Sequence, residues 1–121
     1  MKEYFTEALV LDKEESGERD FKTCLYTREL GKVIAKVKSS RNILSKLNSH
    51  LEPFNFVNIR LIDRAPQIID ALLIKKIKPS WPLSNFLNFI KEITLEGQSD
   101  EQFWFLLKQA SSSANRIIKN F

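Results

Sequence analysis

The sequence predicts a five-stranded β-barrel with one helix between its third and fourth strands, followed by a short α-helical segment. Three observations lead there. Five runs of alternating or β-branched apolar residues fall within residues 1–79; one stretch among them, 39–51, has apolar residues three and four apart; and beyond Pro79 the pattern is helical. The chain has 121 residues. A domain of that size hides roughly 65 % of its unfolded surface on folding, so it needs neither disulfide nor metal to be stable.

The first strand is expected at Phe5-Thr6-Glu7-Ala8-Leu9-Val10-Leu11, where apolar and β-branched residues crowd a short run. Charged Asp12-Lys13-Glu14-Glu15 and then Ser16-Gly17 read as its exit into a hairpin turn. In the second strand, Asp20 to Thr27, Phe21, Thr23 and Leu25 share one face and Lys22, Cys24 and Tyr26 the other. Arg28-Glu29-Leu30-Gly31-Lys32 supplies a tight connection in which Gly31 can take a positive φ. The third strand follows to Lys38, with Val33, Ala35 and Val37 facing one way, Lys32, Lys36 and Lys38 the other, and Ile34 as the exception.

Ile43, Leu44, Leu47 and Leu51 then mark a short helix, capped by Ser39 or Ser40 and ended by Pro53. Phe54 to Asp63 and Ile68 to Ile77 are the last two strands. Three strands, a helix and two strands is the order of the OB-fold, a small, partly open five-stranded barrel, here spanning 1–79.

Residues 80–121 form the helical segment. Leu83, Phe86, Leu87, Ile90 and Ile93 mark one face until Gly97 stops the helix. Ser99-Asp100-Glu101-Gln102 has the S-x-x-Q form of a capping box, opening a last helix with Phe103, Leu107, Ala110, Ala114, Ile117 and Phe121 along one side. The apolar stripe still runs where the chain stops, so this helix packs into the barrel or a partner, or begins a larger helical domain.

Composition excludes more than it assigns. The single Cys24 can form no internal disulfide and no Cys-rich zinc site, which suits an intracellular protein. No apolar run approaches the ~20 residues that span a bilayer, and Met1-Lys2-Glu3-Tyr4-Phe5 lacks the apolar core of a secretion signal. A soluble, cytoplasmic protein is expected. His50, the only histidine, has no second ligand nearby and fits a surface or capping role; Glu14, Glu15 and Glu18 gather at a turn, where solvated charges are ordinary. With three glycines and no phosphate-cradling loop, nothing points to an enzyme, a cofactor or a metal.

Charge is informative by position. The net charge is +4, but residues 1–29 balance to −3, residues 30–80 to +7 and residues 81–121 to zero. So basic a middle segment forms a positive surface able to hold phosphates, or else a set of solvated strand edges guarded by lysine. Lys36 and Lys38 share a strand face, Arg41 and Lys46 follow in the adjoining segment, and Arg28 and Lys32 flank the preceding turn. An OB-fold binds single strands across its second and third strands, combining a basic groove with aromatic stacking. Tyr26 is the stacking candidate on that face; the same ring also fits packing at the barrel end beside Cys24. Phe21, Phe54 and Phe56 belong to the core, and Trp81 and Trp104 weld the helices to the barrel.

The series Thr6-Glu7-Ala8-Leu9-Val10-Leu11, Ser16-Gly17-Glu18-Arg19-Asp20, Tyr26-Thr27-Arg28-Glu29-Leu30-Gly31-Lys32-Val33, Ala35-Lys36-Val37-Lys38-Ser39-Ser40-Arg41, and Ser45-Lys46-Leu47 with Leu51-Glu52-Pro53-Phe54 resembles the N-terminal region of the RecO recombination mediators. The resemblance implies an OB-fold followed by a mostly helical domain. It implies binding of single- and double-stranded DNA, annealing of complementary strands, and action with RecR to load RecA on DNA coated by single-strand-binding protein. Where the family usually has a Lys-Gly-Ala-Arg-like stretch, this chain has Lys38-Ser39-Ser40-Arg41, keeping the charges without the glycine. A reading from another class is a protein-interaction adaptor, in which the barrel and the C-terminal helix dock a RecR-like ring or a second copy and the basic face is incidental.

Overall fold

A computed structural model of the chain describes residues 3–15, 21–37, 50–62, 66–77 and 81–109. It contains β1 (Glu3–Glu15), β2 (Phe21–Thr27), β3 (Gly31–Val37), β4 (Asn55–Ile62), β5 (Gln67–Lys76), α1 (Trp81–Ile93) and a second helix at 101–109. The strand order is β1-β2-β3-β5-β4, and β4 pairs back onto β1, so the sheet closes on itself. All pairings are antiparallel except β3 with β5, which meet in parallel at Lys36 and Gln67. The helix expected at 39–51 lies almost wholly outside the described residues; at its end His50 is helical and Leu51 is fully buried.

β1 is longer than the sequence suggests. Its first half pairs with β4 through Leu9, its second half pairs with β2 from Ala8 to Glu15, and the register shifts between Val10 and Asp12. That bulge at Leu11 bends one strand around two neighbours, a common device at the corner of a small barrel. The charged run 12–15 thus continues the strand instead of leaving it. Its charges are matched from afar: Asp12 pairs with Lys91 on α1 at 2.6 Å, and Lys13 pairs with Glu52 at 2.6 Å with its ammonium 4.8 Å from the Phe21 ring.

The β2–β3 connection takes three residues, and Gly31 sits at φ 69°. Thr27 Oγ1 accepts from the Leu30 amide at 2.9 Å and donates to the Gly31 carbonyl at 2.9 Å, closing the turn. A Cβ at Gly31 would lie 2.0 Å from the Gln98 carbonyl oxygen, so both backbone angle and space require glycine.

Two apolar clusters result from alternation along the strands, broken at the bulges. Inside the barrel, Val10, Leu25, Val33, Ala35, Val57 and Ile59 interlock with their neighbours. Outside it, Leu9, Leu11, Cys24, Tyr26, Phe54 and Phe56 are buried under Leu87 and Ile90 of α1 and Trp104 and Leu107 of the second helix. Phe21, Phe54, Phe56 and Trp104 therefore lie in apolar clusters as expected; the Trp81 side chain lies outside the described residues. Phe54 has a positive φ of 77°, a strained angle for a bulky residue, and is held by Val10 O accepting its amide at 3.1 Å while its carbonyl accepts from Ile77 at 3.2 Å.

The helices differ from expectation in detail. Of the expected stripe on α1, Leu87 and Ile90 are buried and Phe86 and Ile93 are exposed, while the Leu83 side chain lies outside the described residues. At about 100° per residue the apolar arc of this helix is wider than the flank of the barrel that it meets, so one side of the arc is left uncovered. Asp100, not Ser99, caps the second helix: its Oδ1 accepts from the Phe103 amide at 3.1 Å. Trp104 and Leu107 are buried and Phe103 is half-buried; Ala110, Ala114, Ile117 and Phe121 lie outside the described residues.

Candidate nucleic-acid interface

The basic residues singled out in the sequence do not form one cluster. The β2–β3 register runs from Phe21 opposite Val37 to Thr27 opposite Gly31, placing Tyr26 opposite Lys32 and Lys22 opposite Lys36. Lys32 and Lys36 are four residues apart on one strand, roughly 13 Å. Arg28 lies beyond the turn end of β2, roughly 20 Å along the strand from Lys22. The candidate site thus has a turn end, with Arg28 and Lys32, and an open end, with Lys36.

The turn end serves the fold. Lys32 Nζ donates to the Lys91 carbonyl at 2.8 Å, satisfying an acceptor in the last turn of α1 where a cation is favoured. The Lys32 carbonyl accepts from Gly97 at 3.1 Å, and Lys32 bridges in parallel to Glu96. Its ammonium is therefore held in docking the helix end, while its charge is retained. Arg28 is exposed, and its guanidinium stands 3.9 Å from Glu101.

Tyr26 is not a stacking platform. Its ring is 2 % exposed, 4.9 Å from the Phe103 ring edge to face and 6.3 Å from Trp104 in a stacked arrangement. Both of its faces are needed by the outer core, so no base can reach it; the packing reading is the one realised. Burial and the nearby Asp100 carboxylate push its phenol above the ordinary value. Cys24 beside it is likewise buried, and burial raises its thiol despite the opposing pull of Lys32 and Lys91.

The open end is different. Lys22 and Lys36 are both exposed and directly across from each other, in a row that runs Glu14, Lys22, Lys36, Gln67 over four strands. Among the described residues neither lysine forms an ion pair. Like charges facing each other across a ladder repel, an effect partly offset here by Glu14 on the other side of Lys22. Lys38, Arg41 and Lys46 follow Lys36 in the chain but lie outside the described residues. Lys22 was not among the candidates drawn from the sequence, yet it was within reach: a turn closing Thr27 on Gly31 fixes every pair in the hairpin, and that arithmetic sets Lys22 against Lys36.

A second surface deserves comparison. A groove of about 370 Å³ runs over β1, β4 and β5, where Phe5 is 70 % exposed and the Arg60 guanidinium lies 5.7 Å from its ring. Arg60 is paired with Glu3, and Glu7 with Lys108. Glu7, Glu29 and Asp70 line this groove against Arg28 and Arg60, so its acids outnumber its cations and it is the poorer seat for phosphate. His50 closes the barrel elsewhere: its Nδ1 lies 3.0 Å from the Ala71 carbonyl on β5, and its own carbonyl accepts from Asn55 at 2.9 Å. Among the described residues, no group of three His, Cys, Asp or Glu side chains is placed to hold a metal ion, and no helix is long and apolar enough to cross a membrane.

Comparison with known proteins supplies the context for this geometry. The family described as "Recombination protein O N terminal" matches residues 1–76. Among curated proteins, DNA repair protein RecO of Nocardioides sp. is 40 % identical over 60 residues, covering 50 % of this chain and 25 % of that protein. DNA repair protein RecO of Alkaliphilus metalliredigens is 26 % identical over 111 residues, covering 84 % of this chain and 45 % of the relative. The protein of the same name from Cutibacterium acnes is 36 % identical over 62 residues, 51 % of this chain and 25 % of its own length. The chain thus spans less than half the length of these relatives. With a family match over more than half its residues, on the very strands that form the closed sheet, the chain belongs to the RecO family of DNA repair and recombination proteins, through that family's N-terminal region.

Proposed function

We propose that this chain is a non-catalytic recombination and repair mediator of the cytoplasm that binds single- and double-stranded DNA, promotes strand annealing, and acts with RecR to load RecA on strands coated by single-strand-binding protein. The observation that carries the reading is the exposed like-charge pair at the open end of β2 and β3, whose Lys36 belongs to the 30–80 segment with its balance of +7, in a chain of the RecO family. The barrel is read as an OB-fold over 1–79, joined to a helical segment over 80–121.

Lys36, Lys38, Arg41 and Lys46 hold the DNA backbone in this reading, with Arg28 and Lys32 contributing field from the turn end. Such contacts release counterions, confer little sequence preference, and weaken steeply with salt. They also supply a route to annealing, because neutralising phosphates on one strand lowers its repulsion for a complementary strand. No residue changes its covalent state in that process, which is why the reading needs no catalytic group. Changing Lys36, Lys38 and Arg41 together to Glu is expected to abolish single-strand binding in a fluorescence-anisotropy titration at low salt. Intact affinity in that variant refutes the site assignment.

The adaptor reading keeps one specific support, the uncovered stripe of Phe86, Phe89 and Ile93 on α1. Concentration-dependent sedimentation of a protein that binds no DNA would decide for it.

A further inference from the structure

We infer that the open end of β2 and β3 reads the sugar-phosphate backbone alone, without base stacking, and that Lys22 is its second phosphate contact. The inference rests on the nucleic-acid reading above and sharpens what is recognised. Barrels of this kind draw single-strand affinity from two sources, a cationic groove and aromatic rings on which bases stack. Here the two have been separated.

Among the described residues no exposed ring stands at the basic end. Residues 16–20, 38–49 and 63–65, which join the strands around Lys22, Lys36 and Gln67, contain no Phe, Tyr or Trp. Of the rings on the neighbouring strands, Phe21 is 4 % exposed beneath Lys13, and Tyr26 is sealed by Phe103 and Trp104. The exposed rings among the described residues stand elsewhere. Phe5 is nine residues along β1 from Glu14, the residue that shares the lysine row, and Phe86, Phe89 and Phe105 are on the helices that cover the Tyr26 end.

The cations, by contrast, converge. Lys22 and Lys36 face outward from adjacent strands at opposed positions, close enough for both ammonium groups to reach one phosphate or two successive ones. A phosphate between them turns a repulsive contact into two attractive ones. A site made of such contacts is indifferent to base identity and to whether a base is present at all.

The test uses the full chain and fluorescence anisotropy at several salt concentrations, with a labelled single-stranded oligonucleotide, an abasic strand of equal length, and the variant Lys22→Gln. The abasic strand is expected to bind within about twofold of the base-bearing strand, since no stacking is lost. Lys22→Gln is expected to lower the slope of log affinity against log salt by about 0.7, the share of one phosphate contact on a single strand. A loss of about tenfold or more on removing the bases overturns backbone-only reading, because one stacked base accounts for that much. An unchanged slope in Lys22→Gln overturns the role of Lys22. If the unaltered protein binds neither strand at any salt, the nucleic-acid reading itself falls, an outcome distinct from the other two.

Discussion

Gly31 and Gly97 show how one residue type carries two different burdens. Both have positive φ, 69° and 75°, but only Gly31 has a neighbour where a side chain would go. At Gly97 a Cβ meets nothing within 4 Å, so Gly97→Ala incurs the left-handed backbone penalty alone, about 1 kcal/mol. At Gly31 the same substitution adds a collision with the Gln98 backbone, which must move away from β3 and pull on the neighbouring Gly97 amide that donates to the Lys32 carbonyl. Gly31→Ala is therefore expected to cost at least about twice as much as Gly97→Ala in chemical denaturation. Equal costs would mean that the 94–98 segment yields freely and is not fixed against the barrel.

At the scale of elements, the docking of α1 depends on a pair of lysines used at both ends of one contact. Lys32 reaches from β3 to the Lys91 carbonyl, and Lys91 reaches back to Asp12 on β1 at 2.6 Å. The hydrogen bond to Asp12 is the main cause that raises Lys91 above its ordinary 10.5, against a smaller opposing effect of burial. A raised lysine contributes stability that is complete below its unfolded value and is lost as pH climbs through its folded one. Lys91→Met is thus expected to lower stability by up to about 1 kcal/mol at neutral pH, the pair being half exposed, with the difference from the unaltered protein closing only in strongly alkaline buffer. Denaturation midpoints across pH 7 to 11 measure this, and a difference that persists unchanged at the alkaline end would assign the effect to lost packing instead. The same contacts explain what the sequence could show. Strand alternation in β2 and β3 was legible because Val33, Ala35 and Val37 follow the period of the ladder locally. The second half of β1 was not, because Asp12 and Lys13 look like turn residues until Lys91 and Glu52, far away in the chain, answer their charges. Tyr26 presents the same problem in the candidate site: its strand face could be read, but the helix that covers that face could not.

For the whole molecule, the change in periodicity predicts a division between a barrel over 1–79 and a helical segment beyond it, but the apolar packing of the described residues does not respect it. Trp104 lies 5.8 Å from Phe56 of β4 edge to face and stacks on Tyr26 of β2, while Leu87 and Ile90 cover the same outer flank. Large aromatic and aliphatic groups buried in this way contribute about 1.5–3 kcal/mol each, and a domain of this size is stable by only about 5–15 kcal/mol in total. Removing the helices would also leave Leu9, Leu11, Tyr26 and Phe56 as one apolar patch on the strands. A chain of residues 1–79 is therefore expected to show a lower denaturation midpoint than the full chain, to bind a hydrophobic dye, and to self-associate. Should it instead unfold at the same midpoint without binding dye, the interior cluster around Val10, Leu25 and Ile59 would be sufficient alone and the helices a separable addition. The physical balance favours the first outcome, because the flank that an isolated barrel would show to water is as apolar as its interior. The helices therefore complete the barrel, and in doing so they cover the Tyr26 end of β2 and leave the two-lysine end exposed.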